Sequence, residues 1–150
     1  VSQSRSKRGK KKKNVYDIVR VFEAIPEGIY RAYMEQVGAM PGQGVSSTWR
    51  FAEGVGILKS AVYARTGQLA ISVTPQKWKK YFELSDDKNL SRDRAMAIFP
   101  LGAPKWKTKR ARILDEGVTE SSLIAAYGAL VDCNIPLDVL TQMVTHEVLI

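Results

Sequence analysis

The sequence predicts an α/β domain. Two observations carry the prediction: a helical segment separates two short apolar runs of β character, and helical segments follow with no further strand. A third is size and balance. The chain has 150 residues, 45% hydrophobic and 25% charged, enough to bury a core without disulfides or other staples.

The elements follow in order. NVYDIVRVFEAI places Val15, Ile18, Val19, Phe22 and Ile25 at helical spacing behind Asn14 as N-cap. Pro26-Glu27-Gly28 breaks that helix, and residues 29–35 read as a strand ending on Glu35. Three glycines and a proline then crowd into the loop GAMPGQG. A second helix is expected from Ser46 or Ser47 to about Arg65, its core face drawn from Trp49 or Phe51, Val55, Leu58 and Val62. Gly54 and Gly56 inside it each cost roughly 1 kcal/mol against alanine, which predicts close packing against a neighbour. Gly67 stops the helix, and QLAISVTP is a second strand ended by Pro75.

Three helical pieces come next. PQKWKKYFEL begins with a first-turn proline, and SRDRAMAIF starts on a Ser91 cap and stops before Pro100. The basic stretch PKWKTKRARIL leads into DEGVTESSLIAAYGALV. The last segment, IPLDVLTQMVTHEVLI, carries Leu137, Leu140, Met143, Val144 and Leu149 for a neighbour or a partner. Two strands are few for a parallel sheet, which needs several strands and both faces covered. The sheet is expected to lack a part or to be completed elsewhere.

The net charge of +8 is local: residues 1–13 hold seven of the 23 basic residues and no acid, leaving 16 basic against 15 acidic beyond them. The chain therefore divides into a basic tail, 1–13, and a near-neutral domain, 14–150. The tail suits polyanions, because lysines meeting phosphates release condensed counterions; a merely solvated terminus has the same composition. No run of about 18 apolar residues predicts a membrane span, and the N-terminus lacks the apolar stretch of a secretory signal. One cysteine, Cys133, suits a reducing, cytoplasmic setting and the role of a small buried hydrophobe.

The acids fall at informative places. Glu35 sits at the C-terminal end of a strand, where α/β sheets bind ligands. Asp115 precedes a helix whose Glu116 and Glu120 are four apart and share a face. Carboxylates converging on a strand end suit Mg²⁺ or Mn²⁺, and two such ions clamp a phosphodiester during in-line displacement. Glu116 and Glu120 also fit a plainer role, complementing a helix N-terminus.

Basic and aromatic residues interleave at Lys77-Trp78-Lys79-Lys80-Tyr81 and at Lys105-Trp106-Lys107, a composition for phosphate contact and base stacking. Trp78 is expected in the core with its lysines outside, and Trp106 on the surface. His146 has no catalytic partner nearby in sequence, no Cys/His set has zinc spacing, and no Gly-rich loop matches a nucleotide fingerprint.

EQVGAMPGQGVSSTWRFAEGVGIL, VTPQKWKKYFEL, SRDRAMAIFP and DEGVTESSLIAAYG, in that order across about residues 29–128, resemble the RuvC-like Holliday junction resolvases, particularly the phage-type branch. The resemblance implies a ribonuclease H-like fold, a mixed sheet with flanking helices. It also implies a Mg²⁺- or Mn²⁺-dependent endonuclease that cuts branched double-stranded DNA as a homodimer. Under it, Glu35 and Glu120 are metal ligands, and Asp115 or Glu116 is the remaining C-terminal acid, with Glu116 preferred. Gly38, Gly42 and Gly44 turn the backbone beside DNA, with Gln43 among them, and Ser46 and Ser47 cap a helix facing a phosphate. Gln76, Lys77, Lys79 and Lys80, with Lys105, Lys107 and Lys109, make further DNA contacts.

The chain departs from the family at its start. Members begin with a strand ending in an Asp-Pro-Gly-like motif that carries the first metal-binding aspartate, and no such segment precedes Glu35 here. The expectation is a ribonuclease H-like fold incomplete at its N-terminus, an N-terminally truncated reading of a longer protein. Two other classes remain open: a non-catalytic basic DNA-binding relative, and a structural protein whose acids only cap helices.

Overall fold

The structure, a computed structural model, describes residues 16–28, 30–85, 87–107 and 115–143. The Asn14 cap, Ile29, Lys109, the basic tail and His146 lie outside the described residues. The architecture is mixed: a small parallel sheet packed with helices, as an α/β domain requires.

The first helix, α1, spans Ile18–Glu23. Its cap is Asp17, whose carboxylate accepts the Arg20 N–H at 3.2 Å, so the helix starts later than the apolar spacing suggests. Strand β1 is Tyr33–Glu35 and β2 is Ile71–Val73. They pair in parallel with Tyr33 opposite Ile71, Met34 opposite Ser72 and Glu35 opposite Val73. Flanking bonds from Ile71 N to Ala32 O (2.8 Å) and Gln36 N to Val73 O (2.7 Å) fix that register. Among the described residues the sheet has only these two strands, the two that the sequence predicts.

Helix α2, Val45–Thr66, makes the crossover. Gly67 closes it in the left-handed conformation at φ 69°, a position where glycine carries no Cβ penalty. Its core face differs from the one expected. Only Ala61, Val62 and Thr66 are buried, while Trp49 is 75% exposed and Phe51 and Leu58 also reach solvent. Length explains this: 22 residues make a helix of about 33 Å, whereas a three-residue strand spans about 10 Å. The N-terminal turns overshoot the sheet and pack on α1 instead. There Gly54 meets the predicted close neighbour, since a Cβ on it would lie 2.6 Å from the Tyr16 hydroxyl. Gly56 has open space around it, so its expected packing is not found.

The core lies in the C-terminal half. Helices α3 (Pro75–Tyr81), α4 (Lys88–Ile98) and α5 (Glu116–Tyr127) bring Val73, Trp78, Phe82, Ala95, Ile98 and Leu123 into one cluster. Pro75 is in the first turn of α3, as expected. Helix α4 begins one turn earlier than expected: Asp87 caps it by accepting the Asn89 N–H at 2.9 Å, and Ser91 is buried inside it. A 3₁₀ turn at Ala103–Trp106 sets Trp106 against Phe99, ring centroids 5.5 Å apart. Trp106 is thus half-buried rather than a surface residue. After α5, a π-helical turn at Gly128–Asp132 leads to α6, Leu137–Met143. Cys133, expected to be buried, is exposed, because it follows the end of that turn. Among the described residues no helix is long and apolar enough to cross a membrane.

Candidate active site

The site is built at the C-terminal end of β1. Glu35 is the last residue of that strand, half-buried, beside Val73 of β2. The chain leaves β2 through Thr74, the N-cap of α3, so the register sets the first turn of α3 against Glu35. Trp78, fully buried there, donates its indole N–H to Glu35 Oε1 at 3.1 Å. A buried indole N–H needs an acceptor, and the strand-end carboxylate supplies one.

Helix α5 contributes the other acids. Asp115 is its N-cap: one carboxylate oxygen accepts the Val118 N–H at 3.1 Å, and its carbonyl accepts the Thr119 hydroxyl at 2.6 Å. Glu116 follows in the first turn, with Lys88 Nζ, from the first residue of α4, 2.8 Å from its Oε2. Glu120 lies one turn further on. Its carboxyl is pushed above the ordinary glutamate pKa chiefly by burial; Lys79 opposes the shift, Glu35 and Glu116 add to it, and Lys88 opposes it again. The three glutamates thus share one field at one end of the sheet, with two lysines around them.

Their donor chemistry is that of a hard divalent cation's ligands, which are carboxylate oxygens. Their present arrangement is looser than a coordination sphere. Among the described residues no three acids, histidines or cysteines are grouped closely enough to hold an ion. Glu116 and Glu35 are each engaged by a partner, Lys88 and Trp78.

Beside Glu35 runs a groove of about 530 Å³, lined by the loop from Gln36 to Pro41, Gln43, Phe51 and Pro75. Gly42, at φ 79°, supplies the left-handed turn in this loop. Gln43 closes it, with its N–H on Met40 O at 3.1 Å and its side chain accepting the Met40 N–H at 3.4 Å. Gly38 and Gly44 have open space around them. Ser46 and Ser47 do not cap α2: Gly44 holds the N-cap position without a side-chain bond, and both serines are exposed one or two residues inside. The cause is the backbone, since the N–H groups of Ser47 and Thr48 already bond Gly44 O at 2.9 and 3.0 Å.

Of the expected DNA contacts, Gln76, Lys77 and Lys80 are exposed on α3, and Lys107 is exposed after the 3₁₀ turn. Lys79 is half-buried, its Nζ 5.6 Å from the Trp78 ring centroid. Lys105 falls in the 3₁₀ turn. Sequence reasoning missed Lys88 as a partner of Glu116, and missed the Trp78 N–H. No family model and no curated protein matches the chain.

Proposed function

We propose that the chain is a Mg²⁺- or Mn²⁺-dependent endonuclease of branched double-stranded DNA, with a ribonuclease H-like fold of the RuvC-like class. One observation carries the reading: Glu35, at the C-terminal end of a parallel strand, shares a field with Glu116 and Glu120 on an adjacent helix. Helix α5, which carries Glu116 and Glu120, packs against β1. Bound there, the metal would supply water activation and charge stabilisation for phosphodiester hydrolysis.

The chain's own residues do the rest. Glu35, Glu116 and Glu120 would hold the cation, for which Glu116 would have to turn from Lys88 and the three would have to draw closer than they stand. Lys88, so released, would be free to meet a phosphate, and Lys79, like Lys88, favours the charged form of Glu120. Gln76, Lys77 and Lys80 offer DNA contacts from α3, and the groove beside Glu35 receives the strand. Two copies acting as a homodimer would place paired nicks, in a cytoplasmic setting and in the service of recombination or repair.

A second reading has one observation in its favour. Lys88 already meets Glu116 at 2.8 Å, as it would in a non-catalytic DNA-binding relative that had replaced a metal with a lysine. Cleavage of an end-labelled four-way junction, with Mg²⁺ and with chelator, separates the two. Metal-dependent paired nicks in the junction, absent from a linear duplex, are expected for the endonuclease. Salt-sensitive binding without nicks would reject it in favour of the binding relative.

A further inference from the structure

We propose that the outer face of α2 is a contact surface for a second copy of this chain, the two α2 helices lying antiparallel across a two-fold axis. The inference concerns this face alone and stands apart from the metal-site reading above. At 3.6 residues per turn, Val45, Trp49, Ala52, Gly56, Lys59 and Tyr63 form one stripe along the helix, on the side opposite Gly54 and its Tyr16 neighbour. All six are exposed, Val45 at 86%, Trp49 at 75% and Tyr63 at 55%. Steps of four, three, four, three and four residues separate them, the heptad spacing of a helix that packs on another helix. The stripe does not serve the chain's own fold. Trp49 stands outside the core cluster, and Gly56, which weakens a helix interior, has open space around it.

The occupant is a second copy because the stripe is complementary to itself, as a two-fold interface requires. Turn one α2 antiparallel to the other about a centre midway between Ala52 and Gly56. Val45 then comes opposite Tyr63, Trp49 opposite Lys59, and Ala52 opposite Gly56. Each has a fitting counterpart: an aliphatic side chain on a phenol ring, an ammonium on an indole face, and two small residues where the backbones come closest. The parallel pair lacks this fit, since it sets Lys59 against Lys59. The antiparallel pair also gives Gly56 the close neighbour that it lacks within the chain.

Sedimentation velocity of the full 150-residue chain over a range of concentrations reads the assembly, with neither metal nor DNA present. Wild type is expected to pass from monomer to dimer as concentration rises. Trp49→Gln and Gly56→Gln should each weaken the dimer about tenfold or more, the scale of losing a central contact. Both positions are exposed, and glutamine is a better helix former than glycine, so Gly56→Gln should unfold at or above the wild-type temperature. A second arm reads the direction of the helices in a Cys133→Ser background, which removes the chain's one cysteine. Val45→Cys and Tyr63→Cys chains, mixed and mildly oxidised, should give the mixed disulfide dimer, and either chain alone should give far less.

Wild type that stays monomeric at every concentration overturns the proposal and leaves the carboxylate site untouched. A dimer that keeps its affinity in both glutamine variants lies on another face and overturns it too. If a glutamine variant does not fold, the second arm decides: Val45→Cys that cross-links to itself as readily as to Tyr63→Cys, or a mixture that gives no mixed disulfide, rejects the antiparallel pair.

Discussion

Burial pushes the Glu120 carboxyl above its ordinary pKa, and the negative charges of Glu35 and Glu116 add to that push against Lys79 and Lys88. The folded chain therefore holds this proton to higher pH than the unfolded chain does. As pH rises from the ordinary glutamate range through the raised value, folding loses stability, because the native state binds more protons there. Glu120→Gln removes the charge, so the variant should unfold at a higher temperature than wild type at neutral pH. The gain should be small, about 2 °C or less, since the group is partly solvated. It should vanish near about pH 3, where both states carry a protonated glutamate. Calorimetry in chelator at the two pH values checks this, and a gain that persists undiminished in acid would contradict it. The residues behind this field were half legible in the sequence. Glu35, Glu116 and Glu120 announce themselves by place, at a strand end and a helix head. Their partners do not: Trp78 and Lys88 lie 43 and 28 residues away from the acids they meet, and no local pattern specifies such a pairing.

Helix α5 shows how an element assigns work to its residues. Asp115, a candidate ligand by sequence, has its side chain on the Val118 N–H and its carbonyl on the Thr119 hydroxyl. That is a capping role. Asp115→Asn keeps a capping side chain and should leave stability and cleavage near wild type, whereas Asp115→Ala should cost about 1 kcal/mol of stability. Denaturant unfolding with parallel junction cleavage decides the matter. Cleavage abolished in a folded Asp115→Asn would make the aspartate a ligand after all. Element types were well predicted because proline, glycine and spacing act locally: Pro75 opens α3 and Gly67 closes α2. Starts were predicted less well where several polar residues competed. Asp87 rather than Ser91 caps α4, Asp17 takes the role at α1, and Gly44 displaces both serines at α2. The core face of α2 failed for a different reason. Periodicity reports which residues share a side, not how far the sheet beneath them extends.

The described residues form a lopsided molecule. A core of tryptophan, phenylalanine and leucine joins α3, α4 and α5 to β2, while α1 and the first turns of α2 carry Val19, Val45 and Trp49 in solvent. The sequence foretold the scarcity of strands from segment counting alone. What it could not show is that α5 still packs against β1 and carries two acids toward Glu35 with so little sheet beneath them. Tight docking makes this possible: a Cβ on Gly128, just after α5, would collide with the Tyr33 ring. The central claim is that these acids form one metal-dependent nuclease site. The most direct measurement compares four-way junction cleavage and junction binding for wild type, Glu35→Gln and Glu120→Gln in Mg²⁺. Each variant should lose cleavage by about 10²-fold or more, the scale of removing a key electrostatic group, while binding the junction within a few-fold of wild type. Cleavage that continues in both variants, or binding lost together with cleavage, would contradict the account.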